Sequence, residues 1–210
     1  MSSLKGAGAI WAGMAAPVLF VCTFMIEGCL RAGYDSRTMY ISALALGPRG
    51  WVQILNFVVF GLLLMVFARG IAAGASHRIG PALLAAIGFG CLLVGPFVMD
   101  AAGTPRNMAT THGWVHHIAS RIVLLLMPVS CFALVRSRAK WRSVAWCTIA
   151  AGTTVAIAVA LLAIATMVPS AQSTFAPWSG LLERTTVVLW MAWLFLFALA
   201  HDAGPAHPLR

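Results

Sequence analysis

The sequence predicts an all-α integral membrane protein, a single domain built as a bundle of six transmembrane helices with both termini cytoplasmic. Three observations carry that expectation. Of 210 residues, 61% are hydrophobic and 9% charged, whereas soluble domains carry about 25% charged residues. Six windows are apolar over roughly the 20 residues that a helix needs to cross a bilayer core. The basic residues between the windows concentrate on alternate loops, as the positive-inside rule requires.

The windows are about 8–30, 51–70, 79–99, 113–135, 144–168 and 181–200. "MSSLKGAGAIWAG" puts one lysine before an apolar run longer than a signal-peptide core, with no clear small-x-small cleavage site. It is read as the first span. The second opens on Trp51 and carries two polar groups, Gln53 and Asn56, in its upper half. The third holds Gly88, Gly90 and Gly95, which allow close helix approach, and ends in "GPFVMD". The fourth opens with "THGWVHHIASR", the fifth is almost purely apolar, and the sixth opens with "GLLER". No compositional break or internal repeat divides the chain, so residues 1–210 form one domain. Cys22, Cys29, Cys91, Cys131 and Cys147 all fall inside spans without a CxxC pair and read as free apolar thiols.

The net charge of +9 invites a nucleic-acid reading, which its distribution excludes. Lys5, Arg69, Arg78, Arg136, Arg138, Lys140, Arg142 and Arg210 share one side of a six-span chain, and "RSRAKWR" is the densest run. This is a topology signal that also suits contact with anionic lipid. The opposite side mixes signs. Glu27, Asp35, Asp100 and Glu183 lie there, with Arg31, Arg37, Arg49, Arg106, Arg121 and Arg184 and the three histidines of the fourth span.

Ionisable groups at membrane depth cost a few kcal/mol each and usually face a bundle interior. Glu27 stands one turn from Arg31, so the two are expected to pair. Glu183 near the start of the sixth span suits a helix N-terminus, where a carboxylate is favoured. His112 and His116 share one helix face and His117 and Arg121 another, about 140° away. Arg121, roughly 12 Å into its span, is expected to be buried against an acid of another helix. The histidines should be neutral and able to accept protons or bind ligands. The HxxxH spacing of His112 and His116 also suits two metal ligands, with Asp100 or Glu183 as a third and Met39, Met99 and Met108 nearby for a soft ion. No metal or other cofactor is assigned on that spacing alone. Trp51, Trp114, Trp178 and Phe175 cluster at the outer boundary, where they form an aromatic belt or, if turned inward, line a cavity able to stabilise a carbocation.

Four segments, "ISALALGPRGWVQILNFVVFGLLL", "GPALLAAIGFGCLLVGPFVMDAAGTP", "THGWVHHIAS" and "GLLERTTVVLWMAW", taken in that order, resemble the bacterial six-span membrane family called domain of unknown function 998. The resemblance implies a six-helix bundle in a bacterial plasma membrane. It maps the family's pattern onto Ser42, Gly47, Asp100, His112, His116, Glu183 and Arg184. The chain departs from that pattern in reading Asp100-Ala101 where the family often has Asp-Pro. More loosely, size, span number and acid-poor composition resemble small bacterial membrane-bound terpene cyclases. No aspartate-rich motif for a magnesium–diphosphate pair is present, so diphosphate ionisation is not expected.

The expected function is therefore enzymatic: proton-initiated cyclisation of a lipophilic isoprenoid-type substrate in an outward-opening cavity. Asp100 is the first candidate acid, Glu27 or Glu183 the second, and His116 the candidate base. His112, Arg121, Arg184, Trp51, Asn56 and Gln53 are candidate substrate-binding or positioning residues. A nearby arginine favours the ionised carboxylate, so the acid that lacks one should be the donor. The alternatives are a metal-assisted lipid hydrolase using His112, His116 and Asp100, a transporter or lipid-binding accessory protein, and a purely structural charge cluster. Expected partners are a lipophilic small molecule and membrane lipid.

Overall fold

The computed structural model describes residues 2–75, 77–135 and 142–202. Among the described residues every regular element is helical: α1 (Ser2–Leu30), α2 (Gly50–Ala72), α3 (Ile79–Val94), α4 (Thr111–Val135), α5 (Arg142–Met167), the short α6 (Pro169–Phe175) and α7 (Ser179–Asp202). Short 3-10 turns occupy Ile41–Ala45, Arg106–Met108 and Ala176–Trp178. Five segments are long and apolar enough to cross a membrane, and α3 is a shorter apolar helix. Large apolar side chains are exposed on every wall, among them Trp11, Leu62, Phe89, Ile122, Ile157 and Leu196. A surface this apolar all round suits lipid, not water. The chain is thus built as a multi-pass membrane protein.

The six long helices match the expected windows to within a few residues, except at the third and at the N-terminal end of α1. The window 79–99 is helical only to Val94. Pro96 has no N–H to continue the ladder, and the chain runs on irregularly to Asp100. At 1.5 Å per residue, the 16 residues of α3 span about 24 Å, less than a bilayer core of about 30 Å.

Each long helix packs on its sequence neighbours, and α7 closes the circle against α1, giving a ring in the order α1, α2, α3, α4, α5, α7. Neighbours therefore alternate in direction. The segments 31–49, 95–110 and 168–178 gather at one end, called the outer end below. Residues 73–75, 77 and 78 lie at the other. The basic run 136–141, Met1 and residues 203–210, on which the cytoplasmic assignment partly rests, lie outside the described residues.

The inner half of the ring is solid. Phe67, Leu134, Leu194, Phe197 and Ala198 are at most 2% exposed. Trp190 is fully buried, and its indole Nε1 donates to the Met127 carbonyl at 3.0 Å, tying α7 to α4 across the bundle. Gln53 and Asn56 are buried on the inward face of α2, and Asn56 Nδ2 donates to Phe20 O at 3.1 Å and to Gln53 Oε1 at 3.3 Å. Asn56 thereby ties α2 to α1, with Gln53 as its neighbour on the same face.

Glycine brings α2 and α3 together. A Cβ on Gly88 would stand 2.7 Å from the Gly61 carbonyl oxygen and 2.9 Å from Met65 Cγ. Gly88→Ala is therefore expected to force these helices apart and cost about 1–3 kcal/mol. A fall in the unfolding temperature of the detergent-solubilised protein would report it, and an unchanged melt would mean that the two backbones are not in contact there.

Candidate functional site

The outer end of the ring is stoppered by its own first loop. Residues 31–49 fold back into the bundle, and all five residues of the 3-10 turn Ile41–Ala45 are buried. The "GPR" that follows lets the chain leave this turn for α2, because Gly47 adopts φ +90°, a conformation that side chains rarely tolerate. Irregular backbone in an apolar setting must have its polar groups satisfied, and the outer charges do this. Glu183 Oε2 accepts from the Ile41 N–H at 2.6 Å, at the start of the turn. Arg31 Nη1 donates to the Ala43 carbonyl. Arg184 Nη1 donates to Ser36 O and Met39 O, each at 2.6 Å, and to Gly180 O at 2.9 Å, while its Nη2 meets the Tyr34 hydroxyl. Ser179 Oγ donates to Thr38 O at 3.0 Å, and the Leu181 N–H to Arg37 O at 3.0 Å.

Beneath this plug lies a cavity of about 410 Å³ to which all six long helices contribute. Its deep walls are apolar, with Phe20, Phe57, Phe60 and Met191 among them. The rings of Phe57 and Phe60 lie 5.3 and 5.0 Å from that of Phe20. Its upper wall is polar: Tyr40, Ser42, His116, Ser120, Arg121 and Glu183. Three lining residues, Arg121, Leu125 and Met167, are also exposed on the outer surface. The cavity therefore opens sideways between α4 and the end of α5.

The site candidates divide into three groups. Glu183, His116 and Arg121 line the cavity. His116 is 2% exposed, and its Nδ1 lies 2.8 Å from Phe97 O and 3.2 Å from Val94 O. Two carbonyl acceptors place the proton on Nδ1 and leave Nε2 with the lone pair. The same ring satisfies carbonyls that the early end of α3 leaves without helical partners. His117, on the neighbouring stripe, also lines the cavity.

A second group holds the outer segments together. Glu27 is paired with Arg49, not with Arg31: Arg49 Nε donates to Oε2 at 3.0 Å and Nη2 to Oε1 at 2.5 Å. Arg31 is drawn off by the 3-10 turn, and the bidentate fork suits Arg49, whose guanidinium is held above its ordinary value by the Glu27 hydrogen bond and charge. Asp100 stands off the cavity at the head of α4, accepting from the Thr110 N–H at 3.0 Å and from Thr110 Oγ1 at 2.7 Å. Arg184 is 8% exposed and spends its donors on the plug. Glu183 caps a helix start, as its position suggested, but the start belongs to the 3-10 turn and not to its own helix.

The third group faces outward. Trp51 is 65% exposed, so it stands on the lipid side and not in the cavity. Trp114, Trp178 and Phe175 are exposed with it, and Arg37 lies over the Trp178 ring, 5.4 Å from its centroid. His112 is exposed and stacks on Phe97, with ring centroids 5.1 Å apart. It does not join His116. Among the described residues no three His, Cys, Asp or Glu side chains come together as a metal site. Gln53 and Asn56 are buried in the α1–α2 seam outside the cavity.

Arg121 departs most from expectation. Its side chain is exposed at the cavity's side opening, and among the described residues no carboxylate lies within 4.0 Å of it. The plug absorbed the acids expected to reach it. Missing from the sequence expectation were Tyr40 and the phenylalanines. Tyr40's phenol is pushed above its ordinary range first by burial, with Glu183 adding to this and Ser179 and Arg121 opposing it. Phe57 lies one turn beyond Gln53 and Phe60 one turn beyond Asn56, so the buried amides already marked their face as inward.

Arg184→Met is expected to release the Ser36 and Met39 carbonyls from α7. At about 1.5–3 kcal/mol for hydrogen bonds to a charged group, the loss should be readable as lowered stability in denaturant, and Arg184→Lys should recover only part, having no planar fork. Equal stability of all three proteins would show that the guanidinium does not hold the plug.

No curated protein and no solved structure matches the chain. A family profile does, over residues 14–200, nearly the whole ring. The chain belongs to the family described as protein of unknown function, DUF998.

Proposed function

We propose that the chain is a membrane-embedded enzyme that cyclises a lipophilic isoprenoid-type substrate, with Glu183 as the proton donor. One observation carries this. Of the four outer acids, Glu27 is engaged by Arg49, Asp35 is exposed beside Arg37, and Asp100 is tied to Thr110 off the cavity. Glu183 alone of these four lines the cavity, and no guanidinium lies within 4.0 Å of it among the described residues. An apolar setting favours a neutral carboxylic acid, and a neighbouring cation opposes one.

The chemistry is a balanced isomerisation. The Glu183 proton adds to one carbon of an alkene, using its π electrons to form a C–H bond and leaving a carbocation on the other carbon. A second double bond closes the ring and passes the positive charge along, over the faces of Phe20, Phe57, Phe60 and Tyr40. A proton leaves the carbon next to the final cation, its C–H electrons form the new double bond, and His116 Nε2 takes it up. Return of that proton to Glu183 resets the site. A volume of about 410 Å³ lies within the usual range for small-molecule sites, about 300–1,000 Å³. A lipid-binding accessory protein without turnover is the second reading, favoured by the sideways opening of the cavity.

In the membrane, six crossings with both termini cytoplasmic accord with the basic inner segments. α3 would make its crossing with a helix shorter than the others, and the cavity would lie in the outer leaflet of a bacterial plasma membrane.

Glu183→Gln keeps an acceptor for the Ile41 N–H but cannot donate a proton of carboxylic strength. In purified membranes offered a farnesylated aromatic substrate, it should lose about 10²-fold or more in rate while still binding substrate. Asp100→Asn, off the cavity, should keep its turnover per folded molecule. Parental turnover by Glu183→Gln would remove Glu183 from the mechanism, and substrate that binds the parent without conversion would favour the accessory reading. For the topology, a reporter that is active only outside the membrane, fused at Arg210, should stay silent. Strong activity there would overturn the orientation.

A further inference from the structure

We propose that Arg121 is the head-group site of the cavity, and that the molecule bound there is an amphiphile whose phosphate or carboxylate pairs with this guanidinium while its apolar tail fills the chamber below. The inference rests on reading the cavity as the substrate site, and it adds the charge of the substrate and its way in.

Arg121 lies ten residues from the start of α4, a helix of 25 residues. At 1.5 Å per residue, that places its Cα about 15 Å from the outer end, near mid-height. An arginine at such depth is costly and is ordinarily paired. Here the outer acids are committed elsewhere: Glu27 to Arg49, Asp100 to Thr110 and Glu183 to Ile41. The groups on which the Arg121 charge acts are His117 and Tyr40. Neither is a counter-ion. A fixed cation in the wall of an apolar cavity thus has its partner still to come, and a planar guanidinium matches phosphate or carboxylate by its two-pronged geometry.

The surroundings give that partner a shape. Helix side chains lean towards the N-terminus of their helix, which for α4 is the outer end, so the guanidinium rises towards Tyr40. Across from it stand Phe20, Phe57 and Phe60, and deeper along α4 Val123 and Met127, an apolar chamber for a hydrocarbon tail. Beside it the cavity opens between α4 and α5, where Leu125 and Met167 are exposed. An amphiphile can slide in from the lipid through that gap, tail inward, and stop where its head meets Arg121. Tyr40 and Glu183 line the same cavity as Arg121, so an anchored head shares the chamber with the acid.

The test uses the full chain in nanodiscs of zwitterionic lipid, with dodecyl phosphate, dodecanoate, dodecanol and inorganic phosphate as probes and binding read by native mass spectrometry. The parent should prefer both anionic amphiphiles over dodecanol by about tenfold or more, the range of one charge-assisted contact. Inorganic phosphate should not compete. Arg121→Gln, which breaks no hydrogen bond or ion pair among the described residues, should melt like the parent, bind dodecanol as well and lose the preference, while Arg121→Lys should keep part of it. Val123→Trp, which fills the tail chamber, should weaken all three amphiphiles. An unchanged preference in Arg121→Gln would overturn the head-group assignment while leaving the cavity reading standing. Tight binding of inorganic phosphate would replace the amphiphile by a free anion. Failure of every amphiphile to bind the parent would overturn the cavity reading itself.

Discussion

The structure depends on satisfying a piece of irregular backbone inside an apolar ring. The 3-10 turn Ile41–Ala45 is fully buried, and away from water each of its free N–H and C=O groups would otherwise cost several kcal/mol. The charged residues of the outer end meet that demand. Glu183 takes the N–H at the start of the turn, Arg31 the carbonyl at its middle, and Arg184 the carbonyls of the chain leading in. The plug in turn roofs the cavity, contributing Tyr40, Ile41 and Ser42 to its walls. Ser42 Oγ donates to Met99 Sδ at 3.1 Å, which joins the plug to the segment after α3. Remove the charges and the roof has no reason to stay.

That division of labour explains which outer residues remain for chemistry. Charges that reach the plug or close the loops are occupied, and their protonation is bound up with structure. Those facing the cavity include Glu183, with one oxygen on the plug; His116, with one nitrogen on the end of α3; and, with neither, Arg121 and the neighbouring His117. Each of the first two has one polar atom fixed by the scaffold and a second left for a ligand. Groups held at one end and free at the other are oriented without being consumed.

Helix positions were legible in the sequence because length and apolarity determine them almost alone in a membrane chain. The end of α3 was open to the same reading, since Gly95-Pro96 stands in plain view, but an apolar run continuing to Met99 outweighed it. The charges were legible as a class and not as pairs. Arg184 bonds to Ser36, 148 positions away, and no local spacing reveals such a contact. The Glu27–Arg31 pairing obeyed helix geometry and lost to Arg49, because Arg31 was needed by the turn. Arg121 was recognised as out of place in a lipid-facing run, but where its partner should come from depended on how the other acids were used. The cavity's aromatic lining was misplaced onto tryptophans at the boundary, whereas the inward face of α2 was marked by its two amides, Gln53 and Asn56.

The short α3 has a consequence for the bilayer. Five walls of the ring are long enough to match a full hydrocarbon thickness, and the sixth is not. Such a molecule has a circumference of uneven height. With α3 as the sixth crossing proposed above, lipids beside it would have to shorten or tilt their chains, at a fraction of a kcal/mol for each ångström of mismatch. The energy stored in such a thinned arc would be relieved wherever two arcs meet or the membrane is already thin. A single glycine–proline step would thereby bias where in a membrane the protein resides and which of its sides it turns towards a neighbour.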